Sequence, residues 1–489
     1  MTEIELKFCM DADAAERWRA ALEDQGATCE RLRARYFDTE DGRLAHARVA
    51  LRLRQEGRRW VQTLKGEGDS AIQRLEHEVA VRTRAANGPA LDIERHAGSA
   101  AEPVLARALD GTPAGALVEQ YGTDVSRLSQ IATTPGGTEV EIALDLGTVT
   151  AGEHSEPIAE LELEHHAGPL DGLFELACEA LSHGGLWLST VSKAQRGERL
   201  SRGTALLAGE PKPLHLPADA DGAALLRAVL QHALAGVLPH ASTVGEGSAD
   251  AASVQALRAA LRRLCSALRE LAPLSDALRP EWEEALADTA SALGERGRDE
   301  AALAAVRPLL EVAGAPKTDC ELPPAADPVA EVRAAPFQSA LVQVLALAHA
   351  HDGAAAPMSR ALARDAIARR LDALHRQVVS DGAHFDALDA GRQRRVRRRL
   401  RRLRDTIEWV GALWPGRAAE RYRDLLKPAQ DALDRHHETA RAADCFREEA
   451  GRDPAALFAA GYLAARLELT RGAARKALRR LDGAKRFWK

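Results

Sequence analysis

The chain has 489 residues, of which 46% are apolar, 28% charged and 4% aromatic, with a net charge of −6. That length exceeds what one hydrophobic core normally organises, so two domains are expected in a soluble globular protein. The charge is unevenly spread: residues 1–210 hold 23 Lys+Arg against 35 Asp+Glu, and residues 211–489 hold 43 against 37, so an acidic half precedes a basic one.

The opening MTEIELKF is acidic and strand-like, without the basic and apolar regions of a signal peptide, and no stretch reaches the roughly 20 apolar residues of a membrane helix. In the first strand Ile4, Leu6 and Phe8 alternate with Glu3, Glu5 and Lys7. Helix Ala12–Gln25 follows, and then Leu51 and Leu53 alternate with Arg52 and Arg54 ahead of Lys65. Arg74, Glu76 and Glu78 share a face. After a helix at Pro103–Leu109, Val140, Ile142 and Leu144 alternate with a face carrying Glu141 and Asp145. Leu161 and Leu163 alternate with Glu160, Glu162 and Glu164 before a helix at Leu170–His183. Period-two alternation predicts half-buried strands, hence an α+β domain whose antiparallel sheet has strands enough to close.

A linker at 206–219 separates domains 1–205 and 220–489. Beyond it Leu257, Leu261, Leu264, Leu268 and Leu271 form one apolar helical stripe, and Val396, Leu400, Leu403 and Ile407 repeat the spacing after a Pro-rich break near 312–335. The second domain is expected to be an all-α bundle with internal duplication. Nine of the thirteen residues from Arg392 to Arg404 are arginine. A cluster so dense requires acidic neighbours or a polyanion. No aromatic residues interleave with these arginines and no nucleic-acid module is visible, which counts against DNA or RNA.

The six cysteines show no C-x-x-C pair or zinc spacing, and there is no H-E-x-x-H, P-loop, kinase signature or G-x-S-x-G. What the first domain offers instead is strand after strand with an almost wholly ionic polar face, segregated into acidic and basic strands. Inside a closed sheet such faces become tolerable when they neutralise one another, a bound metal and an anionic ligand. Clustered carboxylates suit a hard divalent cation, and Arg and Lys suit phosphate oxygens, so a polyphosphate substrate is indicated.

These residues resemble the CYTH domain, the triphosphate tunnel metalloenzyme fold. The matching motifs run in order as E-I-E-L-K at Glu3–Lys7, Y-F-D-T at Tyr36–Thr39, L-R-L-R at Leu51–Arg54, T-L-K at Thr63–Lys65 and R-L-E-H-E at Arg74–Glu78. Arg127, E-I-A-L-D-L-G at Glu141–Gly147, E-L-E-L-E at Glu160–Glu164 and Ser192-Lys193 complete them. The resemblance implies a closed antiparallel eight-stranded β-tunnel that uses Mg²⁺ or Mn²⁺ on linear triphosphate. It further implies that Glu3, Glu5, Asp145, Glu160 and Glu162 hold metal, and that Lys7, Arg52, Arg54, Lys65, Arg127 and Lys193 bind phosphate. Glu76, Glu78 and Lys65 are the expected catalytic residues, the two glutamates lining the tunnel and helping to orient water.

Residues 220–489 resemble the CHAD domain, an α-helical bundle associated with inorganic polyphosphate. The resemblance rests on Leu257–Leu264, Val396–Glu408 and Gln430–Leu433; Leu293-Gly294 with Arg298-Asp299 fits the family motif with one extra residue. It implies polyphosphate binding by Arg258, Arg262, Arg263, Arg397, Arg398 and Arg401. The chain departs from the family by carrying Gln255 and Arg394 where a histidine usually precedes each basic helix. The combination resembles bacterial inorganic triphosphatases, with a cytoplasmic location at polyphosphate granules as the further expectation. The rival expectations are adenylate cyclase or thiamine triphosphatase activity, or a non-catalytic polyphosphate scaffold.

Overall fold

The computed structural model describes residues 2–68, 70–83, 85, 88–204, 212–216, 220–322, 324–350 and 358–489. The expected linker, 206–219, lies largely outside the described residues. Two compact units are present. The first comprises Met1–Pro211, Leu234–Val254 and Pro328–His351, and the second Lys212–Ala233, Gln255–Asp327 and Asp352–Lys489. Segments 234–254 and 328–351, expected in the helical domain by chain position, therefore group with the strands. Their side chains satisfy backbone groups there: Ser242 Oγ accepts from Thr190 N at 2.9 Å and Gln338 Oε1 from Leu188 N at 2.8 Å.

The strands of the first unit are β1 (Thr2–Met10), β2 (Thr28–Thr39), β3 (Ala50–Glu56), β4 (Arg59–Glu67), β5 (Gln73–Val81), β6 (Leu117–Thr133), β7 (Glu139–Ala151), β8 (His154–Ala167) and β9 (Leu186–Leu188). Their order is β5-β4-β3-β2-β6-β7-β8-β1-β9, and β5 also pairs with β1, which closes eight strands into an antiparallel barrel with β9 added on β1. Closure gives each strand one inward and one outward face. The outward face is apolar where helices cover it: Leu51 and Leu64 pack with Leu105 and Leu109 of helix Glu102–Leu109. Helices Ala12–Asp24 and Asp171–Ser182 lie against β6, β7 and β8.

The inward face changes character along the barrel. Two residues from Arg127, four from Asp145 and two from Glu160 on the same faces, Val125, Val149 and Ile158 form an apolar cluster with Leu32. Leu200 of helix Lys193–Arg202 packs on that cluster, so the helix fills this end of the barrel. The same helix carries Gly197 over the ring of Tyr121, which in turn stacks on Tyr36 at 4.8 Å. A Cβ at Gly197 would fall 2.0 Å from that ring.

In the second unit the two stripes expected from the sequence are buried: Leu257, Leu261, Leu264, Leu268 and Leu271, and Val396, Leu400, Leu403 and Ile407. One expectation needs correction. Helix Gly222–Gly245 is, by length and composition, long and apolar enough to cross a membrane. Its apolar residues include Leu225, Leu226, Val229, Leu230, Val237 and Leu238, all buried in the fold, and this burial accounts for its composition.

Gly197→Ala is expected to destabilise the first unit by about 1–3 kcal/mol through overpacking against the stacked tyrosines. Urea denaturation of the variant checks this, and an unchanged midpoint would contradict the placement of the helix in the barrel end.

Candidate active site

Three carboxylates from adjacent strands meet inside the barrel. Register places Asp145 of β7 opposite Glu160 of β8, with Arg127 of β6 across from Asp145. Glu162 follows two residues after Glu160 on the same face. The oxygens of Asp145, Glu160 and Glu162 lie within 4.8 Å of one another, and Asp145 and Glu160 are 1% and 0% exposed. Charges so deeply buried need partners.

The main partner is Lys193. Its Nζ lies 2.7 Å from Asp145, 2.6 Å from Glu160 and 2.7 Å from Glu162. Local sequence fixes this lysine. Ser192 caps helix Lys193–Arg202 by accepting from Gln195 N, while Gln195 Oε1 accepts from Ser192 N, a capping box that sets Lys193 as the first helical residue. A cation at a helix N-terminus opposes the macrodipole, and here three carboxylates offset that cost. Arg127 grips Asp145 through two hydrogen bonds of 2.7 Å and also bonds Glu162. Lys7 reaches Glu160 at 3.4 Å and donates to the Val191 carbonyl. Burial works against ionisation of Glu162, but Lys193 and Arg127 outweigh it and hold the carboxyl well below its usual range. Burial of Glu160 is likewise overcome, by Lys193 and Lys7.

Glu3 and Glu5 occupy neighbouring positions rather than the trio itself. Glu5 is paired with Arg74 at 2.8 Å, and Glu3 with Lys65 at 2.9 Å. Lys65 also bonds Glu76 at 3.0 Å. Burial raises both carboxyls, and their mutual interaction drives them apart: Glu76 is pushed up, while Glu3 is pulled down with help from Lys65. Around the barrel, Glu78 accepts from Thr63 at 2.9 Å and lies 3.4 Å from Arg54 and 3.8 Å from Arg52. Burial and the adjacent Arg52 lower Arg54, so this pair of guanidiniums repel one another and favour an anion.

All the residues expected from the first domain thus face one interior. Two further residues join them that the sequence placed on these faces without a role in the site. Arg74 pairs with Glu5, and Glu164, opposite Glu5 on β8, is pushed up to about 8 by burial and then by Glu3 and Glu141. Glu164 continues the parity of Glu160 and Glu162, the signal that marked it. A second group, Glu141, Glu164 and His166, also brings oxygen and nitrogen atoms within 4.8 Å of one another.

The trio passes a simple test for a cation. It offers only oxygen, the donor preferred by hard divalent ions, and one ammonium already contacts all three side chains at the distances above. Asp145, Glu160 and Glu162 are therefore the residues that fit a metal, with Glu3 and Glu5 one step away.

In the second unit the expected arginines divide. Arg258, Arg262, Arg397 and Arg401 converge, joined by Arg298: burial and then these neighbours lower Arg258 and Arg262 to about 10. Arg397 and Arg401 bond Asp434 at 2.5 and 2.8 Å. Gln255, in the place of a family histidine, accepts from Arg258 at 2.6 Å. His437 sits by the same cluster, lowered to about 3 by burial and then by Arg397 and Arg441. Arg263 instead pairs with Glu408 at 2.9 Å over the Trp409 ring. Arg398 lies with Arg394, Arg269 and Arg395, and burial followed by Arg394 lowers it.

Lys193→Met is expected to leave three buried carboxylates under-neutralised and to cost about 3–5 kcal/mol of stability without divalent ions. Adding Mn²⁺ should recover more stability in the variant than in the unaltered chain, as read by thermal unfolding. An unaltered midpoint without metal would contradict the lysine's neutralising role.

The CYTH domain family matches residues 1–197 and the CHAD domain family residues 228–447. An inorganic triphosphatase of Haemophilus influenzae is 27% identical over 165 residues, 33% of this chain and 44% of that protein, so under half of the relative's length is spanned. Among solved structures, the CHAD domain of the plant Ricinus communis is 23% identical with a TM-score of 0.43, covering 57% of this chain and 98% of that one. A Hippeastrum protein described as an adenylyl cyclase with a dominant triphosphatase activity is 18% identical with a TM-score of 0.29, covering 42% and 97%. The closed barrel, its inward-facing charges and the two family matches together make this chain a CYTH domain joined to a CHAD domain.

Proposed function

We propose that the barrel hydrolyses inorganic triphosphate to pyrophosphate and phosphate with Mg²⁺ or Mn²⁺. The observation that carries this is the convergence of Asp145, Glu160 and Glu162 on one point of a barrel otherwise lined by Lys7, Arg52, Arg54, Lys65, Arg127 and Lys193. The match to an inorganic triphosphatase supports the choice of substrate. Asp145, Glu160 and Glu162 would hold a divalent cation, with Glu3 and Glu5 nearby, and the bound ion would supply positive charge to the phosphate oxygens and acidify water.

The chain's own residues do the rest. Arg52 and Arg54 present fork-shaped donors that match phosphate oxygens. Lys65 and Lys7 add point charges on adjacent strands. Phosphate oxygens compete with Asp145, Glu160 and Glu162 for Lys193 and Arg127, so substrate entry frees the carboxylates as it engages the bases. Glu76, whose carboxyl burial pushes up, and Glu78, beside the two guanidiniums, help to orient water. Because the groups are held by β-strands, little rearrangement is needed as charge develops.

For the helical unit we propose polyphosphate binding by Arg258, Arg262, Arg397 and Arg401, supported by like charges that converge and mutually lower one another. The proposal places the protein in the cytoplasm, at polyphosphate granules; the six cysteines, all free thiols, accord with a reducing compartment.

Incubation with triphosphate, ATP and thiamine triphosphate, following phosphate and cyclic AMP, tests the activity. Phosphate release from triphosphate should dominate and stop on chelation of divalent ions; cyclic AMP as main product would overturn the assignment. Glu160→Gln should lower kcat on the order of a hundredfold, about 2.7 kcal/mol of transition-state stabilisation, measured by phosphate release. Arg258→Ala combined with Arg262→Ala should weaken polyphosphate binding about tenfold or more and flatten its salt dependence, with triphosphate turnover retained. Binding titrations across a salt series check this, and an unaltered slope would contradict it.

A further inference from the structure

Glu160 has a second cation near it. Arg196 lies one turn beyond Lys193 on helix Lys193–Arg202, with Nε 3.4 Å from Glu160 Oε1. Its Nη2 is 2.9 Å from Glu246 Oε1 and 2.9 Å from Cys9 Sγ. Ser189 Oγ donates to the same Glu246 oxygen at 3.1 Å. Glu246 belongs to segment 234–254, which is part of the barrel's compact unit. The side chains of Arg196 and Glu246 are 11% and 8% exposed, so neither charge is well hydrated.

A guanidinium held between two carboxylates is oriented by both. With Glu246 in place, Arg196 is half-neutralised from the far side and Glu160 keeps an oxygen directed at the trio. Without the Glu246 charge, two changes follow. One net positive charge is added beside the cation cage, in surroundings of low dielectric. Arg196 also shifts its weight onto Glu160, tying up an oxygen that a metal needs.

We infer that Glu246 is a positioning residue for the barrel's metal ligand Glu160, acting through Arg196 and Ser189. The inference rests on the metal-dependent function proposed above. It makes the segment after helix Gly222–Gly245 part of the metal site's support, as partners beyond the ligands commonly tune a metal's affinity.

The test is calorimetric titration of Mn²⁺ into the full chain, unaltered and with E246Q or E246D, alongside thermal midpoints without metal. The expected result is a dissociation constant raised about tenfold or more in E246Q and largely recovered in E246D, which keeps the charge. E246Q binding Mn²⁺ as tightly as the unaltered chain would overturn the inference, as would E246D weakening binding as much as E246Q. If E246Q does not fold, S189A removes the hydroxyl that donates to Glu246 and accepts from Val191 N, and leaves the Glu246 charge in place. It should weaken Mn²⁺ binding about threefold, and unaltered affinity there overturns the inference. An unaltered chain that binds no Mn²⁺ would overturn the metal-dependent function itself, a distinguishable failure that takes this inference with it.

Discussion

The barrel interior depends on neutralising three clustered carboxylates, Asp145 and Glu160 fully buried and Glu162 partly so. Asp145 of β7 is brought to Glu160 and Glu162 of β8 by the register of the two strands. Lys193, Arg127, Lys7 and Arg196 supply the opposing charge. An isolated carboxylate in such a place would take up a proton instead of remaining charged, whereas Glu160 and Glu162 are held ionised by these cations. The result is an interior in which each buried carboxylate is paired with a base.

That balance explains other features of the unit. The capping box at Ser192 and Gln195 fixes the lysine's helix, and Gly197 lets the helix approach Tyr121 closely enough to sit in the barrel end. The inward face becomes apolar there, at Val125, Val149, Ile158 and Leu32, where Leu200 packs against it. Beside the trio, Lys65 bridges Glu3 and Glu76 at 2.9 and 3.0 Å, and the two carboxyls shift in opposite directions, Glu3 down and Glu76 up.

Much of this could be read from strand parity. Glu3, Glu5 and Lys7, or Glu160 and Glu162, necessarily share a face once their segments are strands, and the order of motifs pointed to closure. Parity does not give register, however, and register decides partners: that Arg127 faces Asp145 while Arg74 takes Glu5 follows from which strands lie side by side. Glu164 was within reach of the same parity. Arg196 was not, because its role depends on how a capped helix enters the barrel. Glu246 left no signal, since it meets Arg196 only through the grouping of segment 234–254 with the strands. The arginine run 392–404 shows the converse limit. Its composition announced a basic face, yet Arg398 and Arg401 lie with different neighbours because successive helical residues point in different directions.

A crystal structure with Mn²⁺ and a non-hydrolysable triphosphate analogue, its metals located by anomalous scattering, addresses the shared interior most directly. One Mn²⁺ peak within coordination distance of Asp145, Glu160 and Glu162, with Lys193 drawn off them onto a phosphate oxygen, is the result expected. Lys193 still bonded to all three carboxylates, with metal and phosphates bound elsewhere, would contradict it.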